Sequence, residues 1–147
     1  MSQFMSFSIT QFYLNPKYRF DFSYKIQVDL CATIERQILR KSKRIAETDW
    51  SYWIIITSER KSKIPKLSEQ EVGKRNRQKT MSLTLPYDRV RNSKEPVVEF
   101  CQIVFECLEN IVSSDYEIDE KTLIKAKDEL LKKVQANPKK YYEDNDL

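Results

Sequence analysis

Residues 50–57, Trp-Ser-Tyr-Trp-Ile-Ile-Ile-Thr, decide how the rest of the chain is read. Three consecutive isoleucines beside two tryptophans and a tyrosine favour extended backbone, because β-branched and aromatic side chains pack well on a pleated surface. With apolar side chains on both faces, the run predicts a central strand buried on both sides. Upstream, within residues 4–14, Phe7 and Ile9 alternate with Ser6, Ser8 and Thr10 at the period of a half-buried strand, until Asn15-Pro16 interrupts it. Tyr18, Phe20 and Phe22 alternate with Arg19 and Asp21, which predicts a short second strand or an extended lead-in to a helix. Downstream, Met81, Leu83 and Leu85 alternate with Thr80, Ser82 and Thr84 to give another strand, closed by Pro86.

The other segments repeat their apolar residues at helical spacing. Ile26, Leu30, Ile34 and Ile38, joined by Cys31 and Leu39, predict an amphipathic helix from 24 to about 44, whose outer face and last turns carry Arg36, Arg40, Lys41, Lys43 and Arg44. Pro96 suits a first helical position, and Val97, Cys101, Val104, Leu108 and Ile111 form one stripe widened by Phe100, Phe105 and Val112, so this helix is expected to be largely buried. Asp119 is a good N-cap for a last helix in which Leu123, Ile124, Leu130, Leu131 and Val134 face inward and the lysines stay solvated. Asn137-Pro138 ends that helix. The expectation is one α+β domain over residues 1–138: a small, mostly antiparallel sheet of three or four strands packed against one long N-terminal helix and two C-terminal helices. Residues 139–147 read as an acidic, disordered tail.

Composition narrows the chemistry. With 147 residues, 40% hydrophobic and 33% charged, the chain has enough apolar material for one core. Gly73 is its single glycine, which removes the Gly-rich phosphate loops. There is no histidine, so Ser-His-Asp and Cys-His arrangements and all His-containing metal sites are excluded. Cys31, Cys101 and Cys107 are odd in number and lack a metal-ligand spacing, so buried free thiols in a reducing cytoplasm are expected. No apolar run is long enough to cross a bilayer and no secretory pattern opens the sequence; the reading is a cytoplasmic chain with no cofactor and no catalytic residues.

Charge is unevenly placed. The net charge of +4 divides into +3 for residues 1–57, +7 for 58–94 and −6 for 95–147. Residues 58–78 are polar, basic and aperiodic, and are expected to form one long loop carrying Lys61, Lys63, Lys74, Arg75 and Arg77. Those cations are candidates for contact with phosphates or with an acidic protein surface. On the helix beginning at Pro96, Glu99, Glu106 and Glu109 are spaced to share an exposed stripe, the candidate acidic contact.

Taken together, the Trp-rich strand at 50–57, the alternating strand at 81–85 and the Glu-rich helix from Pro96 resemble the small α+β immunity proteins encoded beside bacterial polymorphic or contact-dependent inhibition toxins. That resemblance implies a non-enzymatic cytoplasmic protein that binds and neutralises one cognate toxin. The alternative is a nucleic-acid-associated accessory protein that holds phosphates through the basic loop and the end of the first helix.

Overall fold

A computed structural model describes residues 5–9, 22–46, 50–73, 75 and 77–142, with the side chains of 5–9, 70 and 71 outside that description. The strand expected around Tyr18 and Phe20, and residues 4 and 10–14 of the first one, therefore lie outside the described residues. Phe22 is described: it forms an isolated antiparallel bridge with Tyr142.

β1 (Met5–Ile9) leads to α1 (Tyr24–Ile34), which runs on into one π-helical turn at Glu35–Leu39. The wider turn is closed by the Arg40 amide donating to the Glu35 carbonyl at 3.0 Å, and Ile38 and Leu39 both stay buried. A two-residue strand β2 (Lys43–Arg44) follows, then β3 (Ser51–Glu59), β4 (Lys66–Gly73) and β5 (Gln78–Pro86). The chain finishes with α2 (Tyr87–Arg91), α3 (Pro96–Val112), β6 (Tyr116–Glu117), α4 (Glu120–Ala136) and a 3-10 turn at Pro138–Tyr141.

The main sheet has four strands in the order β1-β3-β5-β4. β1 and β5 both run parallel to β3, and only β4 is antiparallel to its neighbour. The sheet is therefore mixed, not mostly antiparallel. Its cause is connectivity: α1 lies between β1 and β3, and a strand that returns through a helix comes back parallel. A second correction concerns residues 58–78. They are not a structureless loop, because β3 extends to Glu59 and β4 runs back along the far side of β5 with Leu67 opposite Leu83.

One sheet face is covered by the helices and the other is open. Tyr52, Ile54 and Ile56 on β3 and Met81, Leu83 and Leu85 on β5 are buried, while Trp53 between them is 43% exposed. β3 is central in the sheet but is not buried on both sides as its composition predicts. Beneath the covered face α3 is the hub, with buried residues on nearly every side of it, from Val97 to Val112. Each such side chain taken wholly from water is worth about 1.5–3 kcal/mol. Pro96 stands at its first turn, as its sequence requires. α4 begins where Asp119 accepts a hydrogen bond from the Lys121 amide at 3.4 Å, and it stops before Pro138. Beyond it Tyr141 is buried and the 3-10 turn is ordered, so the expected disordered tail does not begin at 139. Residues 143–147 lie outside the described residues.

Candidate functional site

Two places on this framework concentrate polar chemistry. The first is at the end of the sheet where β3 and β5 begin. Tyr52 and Lys79 are register partners there, both on the covered face, and each reaches Asp115 in the turn after α3. The Tyr52 hydroxyl donates to Asp115 Oδ2, and Lys79 Nζ donates to Oδ2 at 2.9 Å and to Oδ1 at 3.1 Å. Lys79 Nζ also lies 5.0 Å from the centre of the Trp50 ring, a favourable cation–π placement. Asp115 is 3% exposed and is the one buried charged residue among those described. Burial, then the hydrogen bond to and charge of Asp115, raise the Tyr52 hydroxyl well above its ordinary value. The Asp115 carbonyl also accepts from the amides of Ile45 at 2.8 Å and Ala46 at 3.3 Å, so one residue ties the β2–β6 pair to the sheet. Three groups already satisfied by one another make a structural clamp rather than a reactive centre.

The second place is an open groove of about 380 Å³ between α3 and α4, lined by Gln102, Phe105, Glu106, Glu109, Leu123, Ile124 and Lys127. Phe105 is buried at its floor, Leu123 is half-buried, and Ile124 is 45% exposed instead of facing inward. The groove arises because α3 turns its last glutamates outward while α4, rich in lysine on its solvated face, supplies only Leu123 and Ile124 to meet them. An apolar floor with two carboxylates and an ammonium on its rim suits a contact with another macromolecule better than the capture of a small molecule.

The eight residues singled out from sequence are dispersed. Glu99 and Glu106 converge on Arg89 of α2, at 2.7 Å and 2.8 Å, and Glu99 is the more sheltered of the two. Glu106 keeps half its side chain open, and with Glu109 it borders the groove. Lys61 and Lys63 are exposed in the β3–β4 connection, whereas Arg75 and Arg77 are exposed in the β4–β5 connection, at the opposite end of β4. Eight residues of strand put about 26 Å between the two groups. Lys74 lies outside the described residues. The acidic character of the last third does not reside on α4 either, which has five lysines against three acids.

Sequence reasoning missed Asp115, Lys79 and Tyr52 as partners, and the signal for them is long-range: Tyr52 and Asp115 are 63 positions apart. It also missed Arg89, whose guanidinium holds two of the glutamates. All three cysteines are buried. Burial, with the charge of Glu106 beside it, pushes the Cys107 thiol up to about 11, and burial raises Cys101 as well, so neither is a thiolate near neutral pH. No described group of three or more Cys, Asp or Glu side chains is placed to hold a metal ion, and no described helix is long and apolar enough to cross a membrane. No family model matches the chain, and neither a curated protein nor a solved structure matches it.

Proposed function

We propose that this chain is a non-enzymatic cytoplasmic binding protein of the immunity type, which neutralises a cognate bacterial toxin by seating a cationic part of it in the α3–α4 groove. The observation that carries this reading is the groove itself, where exposed Ile124 sits between an aromatic floor and the carboxylates of Glu106 and Glu109. A partner that covers Ile124 removes apolar surface from water, and a lysine or arginine beside the carboxylates gains a charge-assisted contact at the rim.

The reading requires the gene immediately upstream to encode a protein that arrests growth, and the test is a growth assay with that upstream product; an upstream product without toxicity contradicts the immunity reading. Co-expression of the chain restores growth. The Ile124→Asp variant and the Glu106→Lys/Glu109→Lys variant fold, since all three positions are exposed, yet lose rescue and bind the toxin at least tenfold more weakly. Full rescue by both variants contradicts the groove, and failure of the unaltered chain to rescue or to bind contradicts the immunity reading.

A further inference from the structure

α4 packs on α1 and α3 with Ala126, Leu130 and Val134 buried, and its outward side chains stay in solvent. One stretch of that outward set has the same spacing in both directions. Ile124 is followed three positions on by Lys127, Asp128 stands next to it, and Leu131 comes three positions further, so the order is apolar, cation, anion, apolar. Seven residues are close to two turns, so Ile124 and Leu131 lie within about 20° of one another around the helix. Lys127 and Asp128 fall between them, about 60° to one side of Ile124 and about 40° to the other.

The surroundings leave this stretch unsatisfied. Ile124 is 45% exposed, Asp128 is exposed, and Lys127 and Leu131 are half-buried. Lys133 of the same helix pairs with Asp29, and Arg89 holds Glu99 and Glu106, but neither Lys127 nor Asp128 makes an ion pair with another described residue. Lys127 keeps its charge free although Glu106 and Glu109 border the same groove.

Charge order decides what fits. A cationic segment laid along this face meets Lys127 with exposed Lys121, Lys125 and Lys132 around it, and an acidic one meets Asp128 with exposed Glu120 and Glu129. A segment of the same order run in the opposite direction meets opposite charge at both central positions, and the chain itself contains that segment. About a two-fold axis midway between positions 127 and 128, Ile124 faces Leu131 of the partner subunit and Lys127 faces Asp128 of the partner subunit, and the symmetry repeats both contacts.

We propose that two copies of the chain associate through α4, antiparallel, with Ile124 and Leu131 closing the ends of the contact and two Lys127–Asp128 pairs at its centre. The pairing covers Ile124 on the wall of the groove, so a second copy and a toxin exclude one another there. The stripe spans about 10 Å of helix and buries far less than the roughly 1,200–2,000 Å² of a standard stable interface, so the dimer dissociates at a concentration on the order of 100 µM.

The test uses the chain alone, so its outcome is separate from rescue in the growth assay. Sedimentation equilibrium from about 10 µM to about 1 mM follows the passage from monomer to dimer. Lys127→Glu sets two acids against each other in both central contacts and Asp128→Lys sets two lysines against each other; each variant alone dimerises at least tenfold more weakly, with circular dichroism matching the unaltered chain. An equimolar mixture of the two variants regains the dimer, because one copy then presents two acids to the two lysines of the other. A monomeric mass at the highest concentration, a single variant that dimerises undiminished, or a mixture that stays monomeric overturns the proposal.

Discussion

Asp115 shows how much one side chain can carry. It closes the turn after α3, accepts from Tyr52 and Lys79, and through its carbonyl holds residues 45 and 46. Asp115→Ala leaves a largely sheltered ammonium and a buried hydroxyl without their shared acceptor, and chemical denaturation is expected to show a loss of about 3–5 kcal/mol. A loss below about 1 kcal/mol contradicts the clamp. Tyr52 in this clamp and Cys107 on α3, beside Glu106, both bear on stability at alkaline pH. Tyr52 and Cys107 hold their protons more tightly folded than unfolded, so the folded state binds more protons once pH passes the unfolded values of roughly 8.5 for cysteine and 10 for tyrosine. Their contribution is complete below those values and is lost as pH rises toward the folded ones. Urea midpoints are therefore expected to fall from about pH 9 upward, and Cys107→Ala to make that fall shallower. A flat profile between pH 8 and pH 11 contradicts this assignment.

At the scale of elements, the parts with a strong local signal were legible. Alternation in residues 81–85 and the apolar stripe from Val97 to Ile111 each specify a period and a buried face, and Pro96, Asp119 and Pro138 mark their ends by backbone chemistry alone. β4 was not legible, because only Leu67 and Val72 interrupt its polar residues; an edge strand needs charge more than it needs an apolar face. The parallel pairing of β1 with β3 was implicit in the strand-helix-strand order, but local patterning carries no sign of strand direction. The candidate site was half legible. Glu106 and Glu109 reach the groove, yet neither the sheltering of Glu99 by Arg89 nor the exposure of Ile124 follows from helical spacing. β4 splits the predicted basic loop into two groups at opposite ends of the strand, so its cations do not form one continuous track. A duplex of random sequence is expected to show no measurable binding at 200 mM salt and only weak binding at 50 mM. Tight binding with a steep salt dependence would restore the nucleic-acid reading.

The whole molecule places its features apart. The clamp of Tyr52, Lys79 and Asp115 lies where β3 and β5 begin, and the groove lies between α3 and α4. This separation leaves the groove accessible while the core packed around α3 stays intact. Hydrogen exchange of the chain alone and mixed with a candidate toxin that it neutralises in the growth assay tests the proposed groove most directly. Protection is predicted in the second half of α3 and the first turns of α4, around Glu106, Glu109 and Ile124. A footprint confined to the β4–β5 connection, or no footprint at all, contradicts it.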